Sequence, residues 1–205
     1  LNLLAEIDIP GEWYLERDPS VANGTYGTLF FWPPADLQSN EMLVSLLGDD
    51  EQAIISLDSV NHITLQGLTV EMTRFHGIRV ASSEHVLIDD CVIRNIGRDA
   101  IDTQDCRHVG IQNCDIHGIG SVAVRLSGGD RKTLTPGRNF VRNCHIHDFS
   151  RWKRTYSQAV VFDGGVGNEA THNFIHGTPH IAIQYSGNEH LIQYNDIWDA
   201  CFETG

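Results

Sequence analysis

Residues 151–156 read RWKRTY: two guanidinium groups, an ammonium and two aromatic rings in a chain with 27 acids, 14 bases and a formal net charge of -13. Guanidinium forks pair with carboxylates and hydroxyl-rich groups, and flat rings stack on sugar faces. Arg151, Trp152, Arg154 and Tyr156 therefore suit an acidic or partly acidic glycan. Between Arg125 and Arg154 stand eight of the 14 bases (Arg125, Arg131, Lys132, Arg138, Arg142, Arg151, Lys153, Arg154) and two acids, Asp130 and Asp148. The competing reading is that this run only neutralises acidic neighbours. Glycan cleavage would also need chemical groups, usually two carboxylates ~5–5.5 Å apart in retaining and ~6.5–9.5 Å apart in inverting hydrolases. Whether any carboxylates stand near the basic run depends on the register of the chain around it.

That register is a repeat. From Ile55 the chain divides into blocks of 23 residues opening at Ile55, Ile78 and Ile101, then a block of 36 opening at Val124, then 23 again from Val160 and Ile183. Each block holds two short runs with apolar residues at alternate positions. The first pairs each opening residue with Leu57, Val80, Thr103, Leu126, Phe162 or Tyr185, and the second ends at Val70, Ile93, Ile116, Ile146, Ile175 or Ile197. Period-2 alternation in runs this short means strands with one face inward, and a helical period does not fit. Repetition at this length predicts a stacked parallel β-solenoid of about six coils, ~4.8 Å apart, whose equivalent residues form ladders. One ladder is Leu68, Cys91, Cys114, Cys144, Asn173 and Asn195. The long block carries loop expansions at about 127–138 and 149–158, and loops on a rigid scaffold are where binding and catalysis concentrate.

The ladders place the candidate groups. Arg79, Asp102 and Arg125 stand on adjacent coils facing outward, so Asp102 lies between two cations, which favours its ionised form. Asp163, two positions further along than that ladder, can face substrate beside the basic loop. His180, next to Pro179, is kept as an acid/base group or substrate donor. Asp102 and Gln184 join the substrate-binding set. His62, His85, His108 and His190 read as one ladder, and His117, His147 and His176 as another. Without converging carboxylates these read as surface ladders, and no metal ligand is assigned. No cofactor is assigned either; calcium stays open at the oxygen-rich Asp89-Asp90 and Asp49-Asp50-Glu51, neither of which matches a loop motif. Five cysteines without a CxxC pair indicate neither a zinc site nor a disulfide framework.

Residues 1–41 differ from the rest. GEWYLERDPSVANGTYGTLFFWPP reads as an antiparallel hairpin flanking the solenoid at 42–205, and eleven acids through Asp58 face one base, Arg17. The sequon at 23–25 coincides with an Asn-Gly turn. The composition, 41% hydrophobic and 20% charged, is that of a globular protein. A pI near 5.1 argues against nucleic acid as partner. No apolar stretch approaches a membrane span. A monomer is expected. The chain opens without Met and stops at CFETG partway through a block, which reads as a piece of something longer.

The block pattern resembles the right-handed parallel β-helix (pectate-lyase-like) superfamily over about 150 residues. Within it, Glu12–Leu15 with Thr28–Pro34, Arg151–Tyr156, Gly165–Asn168, Asn173–His180 and Glu203–Gly205 resemble a bacterial group similar to glycoside hydrolase family 141. The resemblance implies a secreted or periplasmic glycoside hydrolase acting on plant or microbial polysaccharide by carboxylate acid/base chemistry, and it adds Glu203 to Asp163 and His180 as a catalytic candidate. In that group the ending motif continues past Gly205; if its carboxylates lie there, part of the active site lies outside these residues. A polysaccharide lyase acting on uronates, and a non-catalytic glycan-binding or adhesin module, are the alternatives.

Overall fold

A computed structural model describes residues 3–17, 27–36 and 53–203; the sequon at 23–25 and the acidic triplet at 49–51 lie outside them. The chain forms two compact units, Leu1–Val44 and Ser45–Gly205. In the first, β1 (Trp13–Arg17) pairs antiparallel with β2 (Gly27–Phe31), Trp13 opposite Phe31 and Leu15 opposite Leu29. This is the hairpin expected from the alternating aromatic runs. The Glu12 carboxylate accepts from the Asp8 and Ile9 amides at 2.8 and 3.1 Å and so fixes the approach to β1.

The second unit is all β, with three strands per coil wound into a right-handed parallel β-helix. Coil 1 is β3 (Ala53–Asp58), β4 (Asn61–Gln66) and β5 (Thr69–Thr73); coil 2 is β6 (His76–Ala81), β7 (Glu84–Asp89) and β8 (Val92–Ile96). Coil 3 is β9 (Ile101–Gln104), β10 (Gly110–Gln112) and β11 (Asp115–Ile119). Coil 4 is β12 (Val124–Leu126), a small hairpin of β13 (Gly129–Asp130) and β14 (Thr135–Pro136), then β15 (Phe140–Arg142) and β16 (His145–His147). Coil 5 is β17 (Gln158–Phe162), β18 (Glu169–Thr171) and β19 (Phe174–Thr178); coil 6 is β20 (Ile181–Tyr185), β21 (Leu191–Gln193) and β22 (Asp196–Ala200). First, second and third strands of successive coils pair in parallel to make three six-stranded sheets. No helix among the described residues is long and apolar enough to cross a membrane.

The expected apolar columns are in register: Ile55, Ile78, Ile101, Val124, Val160 and Ile183 lie side by side, as do Val70, Ile93, Ile116, Ile146, Ile175 and Ile197. In the middle coils these side chains are fully buried, each worth roughly 1.5–3 kcal/mol against exposure. Closing each coil takes sharp turns. One is made by a residue in left-handed conformation just before the end of the third strand, Met72, Asn95, Gly118, Gly177 and Asp199 in their coils. Gly, Asn and Asp tolerate that region best, which is why they recur in the gaps.

Polar ladders hold the turns. The Asn173 side chain accepts from the Cys144 amide at 3.1 Å and donates to Val141 O, and Asn195 repeats the pattern one coil on. Cys91, Cys114 and Cys144 are buried, unpaired thiols in the same ladder, as expected of packing residues. A second ladder was hidden by the long block: Asn139 accepts from the Val109 amide, Asn168 from Asn139 and His190 Nδ1 from Asn168. This corrects the placement of His190. The stretch from Tyr185 to Leu191 is one residue shorter than its counterpart, so His190 aligns with the interior asparagines and not with His62, His85 and His108.

Candidate functional site

Strand register locates the thirteen extra residues. Gly110 pairs with Phe140, an offset of 30 where neighbouring coils show 23, and Val124 pairs with Val160, an offset of 36. Seven residues therefore enter before β15 and six before β17. The first addition folds into the β13–β14 hairpin, closed by Asp130, which accepts from the Lys132 amide and the Thr133 hydroxyl, both at 2.9 Å. Those two donors lower the Asp130 pKa.

The second addition carries RWKRTY and is tied at both ends. Phe149 is buried, the Ser150 amide donates to Ser121 O and the Ser150 hydroxyl to Ser157 O. Between these anchors the Trp152 and Lys153 amides both donate to Gly120 O, at 2.9 and 3.1 Å. Position 120 must be glycine, because a Cβ there would meet Gly97 O at 2.1 Å and the Trp152 ring at 2.8 Å. The loop thus lies against the turns of coils 2 and 3 and presents Trp152, 75% exposed, beside the outer face of the first sheet.

Loop and sheet enclose a cleft of about 680 Å³, lined by His76, Arg98, Asp99, Asp102, Gln104, Asp105, Arg125, Trp152, Lys153 and Asp163 among others. Asp102 and Arg125 in its floor belong to the outward ladder of the first sheet, which runs in the expected order Arg79, Asp102, Arg125. Arg125 gathers three carboxylates: Asp163 Oδ2 at 3.1 Å, Asp99 Oδ2 at 3.4 Å and Asp102 Oδ1 at 3.5 Å. Asp99 is itself buried and accepts from the Val122 amide at 3.1 Å. Asp163 is the exposed member, its side chain 62% accessible.

Asp102 corrects a sequence expectation. Burial raises its pKa above the ordinary carboxylate value, and neighbouring Asp99 adds to the rise, despite the opposing pull of His76, Arg125 and Arg79. Desolvation penalises the anion more than the flanking cations relieve it. His76 was missed in the sequence: its Nδ1 is buried without a hydrogen-bond partner, and it lines the cleft one coil from Asp99. Its column, which continues through Asp99, Val122, Gln158 and Ile181, changes chemistry at every coil, so no repeated residue type marked it.

The other candidates take different places. Glu203 is clamped by Arg154 through two hydrogen bonds, one from Nε to Oε2 at 2.9 Å. His180 Nδ1 accepts from the Tyr156 amide at 3.0 Å, with the Tyr156 ring edge-on to the imidazole. Gln184 accepts from Gln158 Nε2. Of these, Glu203, Arg154, His180, Tyr156 and Gln184 were site candidates, and none of them lines the cleft. Arg151 and Arg154 instead border a second hollow of about 360 Å³ with Asp148, Pro179 and Phe202. For calcium, Asp89 offers little: its carboxylate is taken by Gln66, Gln112 and Asn113 amide groups at 2.7 to 3.2 Å.

A family model described as the right-handed beta helix region matches residues 53–151. With the six stacked coils, it supports the parallel β-helix superfamily. No curated protein and no solved structure matches the chain.

Proposed function

We propose that the cleft binds a polysaccharide and that the protein is a carbohydrate-active β-helix, with Asp102 as proton donor and Asp163 as the second carboxylate. The observation that carries this reading is Asp102: a carboxyl whose pKa burial raises, opening on a polar cleft beside an exposed indole. A raised pKa keeps an acid protonated closer to neutrality, which is what a glycosidic oxygen requires of its donor. Asp163, held by Arg125, is exposed and available as base. Asp102 is in coil 3 and Asp163 in coil 5, two positions further along than the residue in register with Asp102, and both carboxylates reach the one Arg125 guanidinium, at 3.5 and 3.1 Å.

In this reading Trp152 supplies a stacking face, and Lys153 and Arg98 hold hydroxyl or carboxylate groups of the sugar. Glu203 and His180 serve by fixing the loop through Arg154 and Tyr156. A secreted or periplasmic setting goes with such a substrate. The cations of the cleft also favour a second reading, lyase action on a uronate, in which Arg125 and Lys153 would neutralise the sugar carboxylate. Incubation with a panel of neutral and uronate-containing glycans separates the readings. Hydrolysis gives saturated reducing ends, and elimination gives an unsaturated product absorbing in the ultraviolet. Binding without any product, unchanged in Asp102→Asn and Asp163→Asn, would leave a glycan-binding module and remove the catalytic assignment.

A further inference from the structure

The outer face of the third sheet carries two columns of side chains. One runs Glu71, Arg94, His117, His147, His176, Trp198; beside it run Asp115, His145, Phe174 and Asp196. The ladder His117, His147, His176 stacks as expected, with ring centroids 4.8 and 5.1 Å apart. His145 had no place in either histidine ladder, because its own column holds no other histidine. It brings the cluster to four imidazoles and a carboxylate.

The geometry within this cluster is that of ligands and not only of stacked rings. His145 Nε2 and His176 Nε2 approach to 2.8 Å. Two nitrogens bound to one tetrahedral zinc at ~2.0–2.1 Å lie about 3.3 Å apart, close to the spacing already present. His147 Nδ1 is 2.8 Å from Asp148 Oδ2, so the ring proton belongs on Nδ1 and the bare Nε2 lone pair points into the cluster. A carboxylate holding the far nitrogen of an imidazole is the outer-shell arrangement of metal-bound histidine. That bare Nε2 faces Asp115 Oδ1 at 3.3 Å; the oxygen is buried, accepts no hydrogen bond, and also lies 3.4 Å from His145 Nδ1. Two acceptors confront one another there, an arrangement a cation between them resolves.

We propose that His145, His147 and His176, with Asp115 completing the set, bind one divalent transition-metal ion of the zinc class. His147 is central, since it belongs both to the triad with His145 and His176 and to a second group with Asp115 and His117. The ligands come from coils 3, 4 and 5, so the ion clips three coils together on a sheet separate from the one that forms the cleft floor. Loading requires the proton between His145 Nε2 and His176 Nε2 to leave that contact, which tautomerisation to a ring Nδ1 achieves.

The test is calorimetric titration of the metal-stripped protein with Zn²⁺ near neutral pH, and with Co²⁺ followed by its visible ligand-field bands. One ion per chain is expected, with the intense bands of a tetrahedral site and a higher melting temperature on loading. His147→Ala and His176→Gln should each abolish stoichiometric binding, and Asp148→Asn should weaken it by roughly 10–100-fold. His62→Ala, in the other stack, should leave it intact. Circular dichroism of the stripped variants checks that they fold; His176→Gln keeps the test open if His147→Ala does not. Absence of stoichiometric uptake would overturn the site, and so would uptake retained in His176→Gln or lost equally in His62→Ala.

Discussion

Coil 2 and coil 4 are built on the same three-strand plan, and only one of them carries an added loop at two of its corners. Coil 2 spends its 23 residues on strands and turns, and its outward residues meet their neighbours in simple pairs such as Arg94 with Glu71, 2.6 Å apart. Coil 4 keeps the same inward positions, filled by Val124, Leu126, Val141 and Ile146, all fully buried. Its additions are confined to the corners, where the chain leaves the core, so the scaffold is undisturbed while new side chains are held over the first sheet. Interior positions are constrained by close packing between coils, whereas a corner can lengthen at small entropic cost. The site in this fold gathers beside the coil whose corners were lengthened.

The sharpest way to break that comparison is to remove one group from each side of it. Asp102→Asn keeps the shape of the cleft floor and deletes the transferable proton; turnover on a cleaved glycan should fall by about 10²–10⁴-fold. The same variant has a stability signature with a definite sign. Because the folded pKa lies above the ordinary 3.8, the folded state binds the proton more tightly than the unfolded chain. The contribution of this group is therefore fully present below that value and is lost as pH rises through the folded pKa. Asp102→Asn should melt at a temperature that gains on the parent as pH rises through that window, with no gain at the acid end. A gain that ran the other way would mean the carboxylate is stabilised by its cations, and the proton-donor role would fall with it.

On the scaffold side, Ile116→Ala opens a cavity between fully buried neighbours of coils 2 and 4, and about 2–5 kcal/mol of unfolding free energy should be lost in denaturant titration. Activity per folded molecule should hold. If turnover fell as far as in Asp102→Asn while the protein stayed folded, scaffold and site would not be separable. Trp152→Ala comes next in size: it should weaken glycan binding by roughly tenfold, the worth of one good ring contact, without moving the melting temperature. An unchanged affinity would show that the indole only covers Gly120.

The strand plan was legible because the core repeats. An inward position must accept a neighbour above and below, so Ile78, Ile101 and Val124 announce one another at fixed spacing. The same logic exposed Arg79, Asp102 and Arg125 as an outward ladder, but not the balance of burial against charge at Asp102, which depends on how far the loop covers it. The meeting of Asp99, Asp102 and Asp163 on one guanidinium was not legible, since it joins three coils through a long side chain whose direction the spacing leaves free. Asn139 and Asn168 were masked by the offset of 30, and His145 by standing in a column without other histidines. Glu203 and Arg154 were both picked as site residues, one by resemblance and one by composition. Their mutual clamp follows from neither.

That clamp is the smallest effect and discriminates most finely between the two regions. Arg154 and Glu203 are each about two-fifths exposed, at 43% and 41%, so solvent screens their attraction and the pair should contribute only ~0–1 kcal/mol to stability. A double-mutant cycle of Arg154→Ala and Glu203→Gln measures that coupling directly. If the pair merely holds the loop, either single variant should loosen Trp152, weakening glycan binding by a few-fold, and the double variant should be no worse than the singles. Turnover of bound glycan would then be unchanged. If Glu203→Gln alone abolished turnover while Arg154→Ala spared it, Glu203 would be acting on substrate. The chemistry would then belong to the second hollow, beside Pro179 and Phe202, and not to the cleft above Asp102.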